Sequence, residues 1–117
     1  MALAAADHGY AETVKPPVAH AMTIDAFEFK PPALTVDRGD TIVWRNSDPV
    51  PHTVTAKGAF DSGAIAAGAT WKYTAKISGR FDYICAFHPT MKGTLIVRSS
   101  KRLDRGNLEV DPPKRTR

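Results

Sequence analysis

The chain has 117 residues, 43 % of them hydrophobic and 24 % charged, which is the size and composition of one globular domain and excludes a disordered chain. No apolar run approaches the roughly 18 residues of a membrane-spanning helix, and a single cysteine excludes an internal disulfide. The net charge of +4 is uneven: from Lys101 onward six basic residues face three acidic ones, so the body is nearly neutral, and the acids and Pro112-Pro113 that interrupt this tail argue for a solvated segment rather than a nucleic-acid surface.

In chain order, Met1-Ala2-Leu3-Ala4-Ala5-Ala6-Asp7 is similar to the small-residue end of a secretory signal, and gives the expectation of an exported, periplasmic protein. Residues 1–20 hold Pro16-Pro17 and no sustained periodicity. They are expected to form a leader, with His8 and His20 facing solvent. A single domain is expected over 21–98 and a basic tail over 99–117.

From Ala21 the pattern has the period of a β-strand. Met22 and Ile24 alternate with polar neighbours, Phe27 and Phe29 follow in the opposite phase, and the phase change at Asp25-Ala26 predicts a β-bulge. Pro31-Pro32 should end that segment or confine it to an edge. Leu34 and Val36 begin another strand, Asp37-Arg38-Gly39-Asp40 is a turn, and Ile42 and Trp44 share one face of a strand over Thr41–Asn46. A proline-stiffened loop, Ser47 to Pro51, then delivers His52, which is in phase with Val54 and Ala56 and so points inward. Lys57 to Gly68 reads as a long loop. Trp71, Tyr73 and Ala75 share one strand face. Phe81, Tyr83 and Cys85 share another, and Gly93, Leu95 and Val97 line the last strand, with Lys72, Asp82 and Arg98 toward water. Short strands at this spacing, with no helix of three turns, predict an all-β Greek-key sandwich of about seven to eight strands in two antiparallel sheets, with His52 and Cys85 on opposite sheets at one end of the core.

The chemistry is concentrated in Cys85-Ala86-Phe87-His88-Pro89-Thr90-Met91, where a thiol, an imidazole and a thioether recur at three-residue steps. Three residues of extended chain reach at most about 11 Å, so a bend can gather all three side chains around one ion. With His52 as a fourth donor, the set is two imidazoles, one thiolate and a weak thioether, the donor set of blue-copper electron-transfer sites. Zinc fits less well, because methionine is a poor zinc ligand.

Leu34-Thr35-Val36, Gly39-Asp40-Thr41, Trp44, Asn46 and His52, followed by Gly79, Tyr83, Cys85, His88 and Met91, resemble the cupredoxins, closest to the amicyanin and plastocyanin branch; the resemblance covers roughly Met22 to Arg98. The two-residue gaps between Cys85 and His88 and between His88 and Met91 match the short ligand loop of amicyanins. The resemblance implies one copper ion, Cu2+/Cu+, bound by His52, Cys85 and His88 with Met91 axial. It also implies that Asn46 braces the ligand loop and directs its backbone N–H at the thiolate. Ala86 and Phe87 depart from the amicyanin pattern, which has a hydroxyl residue and a proline there.

The expected function is a mononuclear shuttle for single electrons and not an enzyme, since these ligands leave no open coordination position and no second cluster exists. Its partners would be redox proteins, a haem protein or a dehydrogenase, docking a monomer at an apolar patch of Val50, Pro51, Phe87, Pro89 and Thr90 around an exposed His88 edge. Nucleic acid and a membrane span are not expected. The alternative is a periplasmic copper carrier or storage domain, against which stands the lack of a methionine-rich tract. A metal-free sandwich would leave the spacing of the donors a coincidence.

Overall fold

A computed structural model of the chain describes residues 16–99. The tail beyond Ser99 and the expected leader up to residue 15 lie outside the described residues.

Alternation of apolar and polar side chains builds the strands, and it places the first of them earlier than expected. Strand β1 (Ala19–Asp25) turns Met22 and Ile24 inward. It includes His20, which is not simply solvent-facing: its Nε2 lies 2.9 Å from an Asp40 carboxylate oxygen. The phase change after Asp25 is not a bulge but a two-residue hairpin. Strand β2 (Glu28–Lys30) folds back on β1 with Asp25 opposite Glu28, so Ala26 and Phe27 form the turn. Both have positive φ, 53° and 59°, as a type I′ turn requires. Pro31-Pro32 follows, and β2 lies on a sheet edge, where a missing N–H costs least.

Strand β3 (Ala33–Asp37) leads through the Gly39 turn (φ 100°) into β4 (Thr41–Asn46), which buries Ile42, Trp44 and Asn46. The short β5 (Thr55–Ala56) and β6 (Phe60–Asp61) come next, followed by β7 (Thr70–Thr74), β8 (Gly79–Cys85) and β9 (His88–Arg98). The segment Lys57 to Gly68 is therefore more than a loop: it contributes β6 and puts Phe60 and Ile65 in the core.

Nine strands are described, including two of two residues, rather than seven or eight. They form an all-β sandwich of two sheets ordered β2-β1-β4-β7 and β3-β9-β8-β5-β6. The sheets are mixed and not purely antiparallel, because β1 runs parallel to β4 and β3 parallel to β9. Between them lie Trp44, Tyr83, Phe29 and Phe60. Trp44 meets Tyr83 edge-on, with centroids 5.6 Å apart, and donates its Nε1–H to the Tyr83 hydroxyl at 3.3 Å. His52 and Cys85 do not come from opposite sheets: β5, just after His52, pairs with β8 through Thr55 and Ile84.

Candidate metal centre

Cys85 ends β8 and His88 begins β9. They face each other as the last pair of that ladder, beyond a register shift at Ile84/Cys85, and Ala86 and Phe87 alone make the connection. The expected ligand loop is thus the tip of a hairpin, and its tightness brings the two side chains together: Cys85 Sγ lies 3.6 Å from His88 Nδ1. Cys85, in phase with buried Tyr83, is fully buried.

His52 arrives on a segment held from two sides. Its backbone exchanges hydrogen bonds with Ile65, accepting from the Ile65 N–H at 2.7 Å and donating to its carbonyl at 3.2 Å. The loop before it is fastened by Asn46, whose Nδ2 donates to the carbonyls of Val50 and Ile65 and whose Oδ1 accepts the Asp48 N–H. In consequence His52 is fully buried, with its Nδ1 3.5 Å from Cys85 Sγ.

Asn46 braces the loop before His52 through its side chain, but it does not address the sulfur. Its backbone N–H donates to Ala69 O at 2.9 Å, and the N–H aimed at Cys85 Sγ belongs to Thr53, at 3.3 Å. The physical reason is position: Thr53 follows His52 directly, so fixing the imidazole beside the sulfur brings that amide along. The Thr53 hydroxyl also accepts the Ala86 N–H at 2.7 Å, joining the two ligand-bearing segments where Ala86 offers no side-chain donor.

The far side of the His52 ring meets Asp48, with Nε2 and a carboxylate oxygen 2.7 Å apart. Burial pushes the Asp48 carboxyl up, but bonds from the Phe27 N–H, the His52 ring and the Ala26 N–H outweigh it and hold the group below its ordinary value. An ionised carboxylate only accepts, so the Nε2–H of His52 donates to it, and Nδ1 is the ring nitrogen that faces the Cys85 sulfur. Phe27 completes the surroundings, its ring edge-on to both His52 (5.0 Å) and His88 (4.8 Å).

The ligating atoms of His52, Cys85 and His88 all lie within 4.8 Å of one another. Donors sharing one ion at roughly 2.0–2.3 Å each sit about 3–4 Å apart, and the Sγ–Nδ1 separations of 3.5 and 3.6 Å meet that, so the cluster suits a single soft or borderline metal. Met91, three residues further along β9, is buried (4 % exposed) in the wall of a cleft shared with Phe27 and Phe29. At the surface His88 is half-buried, while Pro51, Phe87, Pro89 and Thr90 are exposed and Val50 is half-buried. Sequence reasoning missed Asp48, Thr53 and Phe27. Two period-two runs in opposite phase around a two-residue gap can signal a hairpin, but Ala-Phe lacks the Asn-Gly chemistry that usually announces one.

A family model for the cupredoxin-like domain matches residues 1–97. Amicyanin of Paracoccus versutus is 30 % identical over 80 residues, covering 63 % of this chain and 61 % of that protein. Amicyanin-alpha of Methylorubrum extorquens is 28 % identical over 80 residues, covering 63 % of this chain and 67 % of its own length. Among solved structures, the Cu(I) form of a methionine-to-alanine mutant of amicyanin superposes with a TM-score of 0.65 at 28 % identity, covering 75 % of this chain and 88 % of that one.

Proposed function

Because the chain belongs to the cupredoxin-like family, we propose that it is a mononuclear blue copper protein that carries single electrons between redox partners, with His52, Cys85, His88 and Met91 as the ligands of one copper ion per chain. A copper ion bound there supplies a one-electron Cu(I)/Cu(II) couple. The observation that carries the reading is the convergence of one imidazole nitrogen from each histidine with the buried Cys85 sulfur, all within 4.8 Å, the two Nδ1 atoms lying 3.5 and 3.6 Å from that sulfur.

The surrounding residues do the rest. Thr53 donates its N–H to the Cys85 sulfur and so helps fix its position, while full burial closes Cys85 to attack on a substrate; a bound copper ion would itself hold the sulfur as thiolate. Asp48 holds the Nε2 side of the His52 ring, which turns Nδ1 toward the Cys85 sulfur as the nitrogen that would ligate. The hairpin, the Ile65 bridge and the Asn46 bonds hold the donors in place before any ion arrives, so a change of charge calls for little rearrangement. His52 is buried and His88 half-exposed, so a partner's approach is by way of His88. The proposal extends to a periplasmic location and to a haem protein or dehydrogenase docking on the apolar surface of Pro51, Phe87 and Pro89.

The test is the visible spectrum of the Cu(II)-loaded protein. An intense thiolate band that Cys85→Ser abolishes, together with a reversible one-electron couple, is expected. A colourless loaded protein, or a band that survives Cys85→Ser, would overturn the reading.

A further inference from the structure

The β1–β2 turn lies far in sequence from the ligands, yet it touches both histidines, and its conformation is one that its own residues disfavour. Ala26 and Phe27 occupy the left-handed region in succession without a glycine or asparagine between them. Such a turn persists when neighbours over-determine it. The neighbour is Asp48, only 5 % exposed, whose Oδ1 accepts the Ala26 N–H at 2.7 Å and whose Oδ2 accepts the Phe27 N–H at 2.9 Å. Oδ2 is also the oxygen that meets His52 Nε2 at 2.7 Å. One carboxylate thus grips the tip of a remote hairpin and the back of a ligand ring together. A second tie, from the Ser47 N–H to Ile24 O at 2.8 Å, draws the Asp48 loop against β1.

We propose that the Ala26-Phe27 turn is a working part of the metal centre and that Asp48 is the positioning residue that holds it there, so that the Phe27 ring forms a roof over the imidazoles of His52 and His88. Phe27 is 46 % exposed, so one side of its ring faces solvent and its edge contacts cover the histidines. The roof limits access of solvent and chelators to the ligand nitrogens, while the carboxylate fixes the ring orientation of His52 and enriches its electron density, which favours the more highly charged metal state. The inference rests on the copper reading only for its metal-loaded measurements.

The experiment compares the full chain with Asp48→Asn and Phe27→Ala, metal-free and Cu(II)-loaded. In the metal-free wild type, nitrogen NMR of the His52 ring should show the proton on Nε2. Asp48→Asn should speed amide exchange at Ala26 and Phe27 about tenfold while leaving Leu95, deep in the β3–β9–β8 sheet, unchanged, whereas Phe27→Ala should retain both turn amides. Loaded with copper, Asp48→Asn should shift the Cu(I)/Cu(II) balance toward Cu(I) by about tenfold, or ~59 mV for one electron. It should also weaken Cu(II) binding by roughly 10–100-fold. Phe27→Ala should release copper faster to a chelator. Wild-type exchange rates and potential in Asp48→Asn, or wild-type release in Phe27→Ala, would overturn the proposal. Should Asp48→Asn fail to fold, the wild type decides alone: a His52 proton on Nδ1, or unprotected Ala26 and Phe27 amides, refutes it. A wild type lacking the blue band would defeat the copper reading while leaving these metal-free results to stand or fall separately.

Discussion

Gly93→Ala is the smallest change that should disturb the centre from below. Gly93 pairs directly with Tyr83 across the β8–β9 ladder, and the Tyr83 ring lies over the space a side chain would occupy. A Cβ there would stand 2.5 Å from the Tyr83 hydroxyl oxygen and 2.6 Å from Cε1, and closer still to Cζ, where real contacts need more than 3 Å. The ring cannot swing freely: Tyr83 is 1 % exposed, packs edge-on against Phe29 (4.8 Å) and Trp44 (5.6 Å), and accepts the Trp44 indole N–H. Overpacking of this kind costs about 1–3 kcal/mol, and breaking the indole hydrogen bond adds about 1 kcal/mol. The expected loss is therefore roughly 2–4 kcal/mol, which for a domain of this size lowers Tm by at least about 8 °C. The assay is thermal unfolding of metal-free protein, so that ion affinity does not contribute. Gly63→Ala is the contrast: φ is 66° but nothing lies within 4 Å, so it should cost only about 1 kcal/mol of backbone strain. Gly93→Ala melting within 2 °C of wild type, or no lower than Gly63→Ala, would refute the steric argument.

Met91→Leu should raise the reduction potential and Met91→Gln lower it, because removing the weak donor favours Cu(I) and an amide oxygen favours Cu(II); opposite signs in voltammetry would remove Met91 from the ligand set. Phe87→Glu places a charge on an exposed apolar ring beside His88 and should slow electron exchange with the partner by about tenfold, equivalent to ~1.4 kcal/mol; an unchanged rate moves the docking face elsewhere. Burial pushes the Asp40 carboxyl up, but bonds from His20, Val18 N–H and Asp37 N–H outweigh it and hold it below its ordinary 3.8. A depressed folded-state value means that its stabilisation is present above pH 3.8 and lost as pH falls through that lower value. Asp40→Asn should therefore cost about 1.5–3 kcal/mol near neutrality, with the difference from wild type shrinking in acid unfolding titrations below pH 4; a difference independent of pH would contradict this.

The cluster of His52, Cys85 and His88 was legible because most of its chemistry is local. A thiol, an imidazole and a thioether at three-residue steps can reach one ion whatever the rest of the chain does, and His52 declares its inward direction through strand alternation with Val54 and Ala56. Burial of Ile42, Trp44, Tyr83, Leu95 and Val97 follows from the same period-two rule. What surrounds the ligands is different in kind. Which N–H meets the sulfur is decided by tertiary placement: the Thr53 N–H points at Cys85 Sγ, while the Asn46 N–H is taken by the Ala69 carbonyl. The parallel pairing of β1 with β4 and the sharing of one sheet by β5 and β8 are long-range choices to which alternation is indifferent. Phe27 meets His52 and His88 from a turn that its own residues disfavour, with its N–H bonded to a carboxylate 21 positions away. The residue types of the candidate donors thus belong to the sequence, whereas their orientation, shielding and hydrogen bonding arise only where distant segments meet.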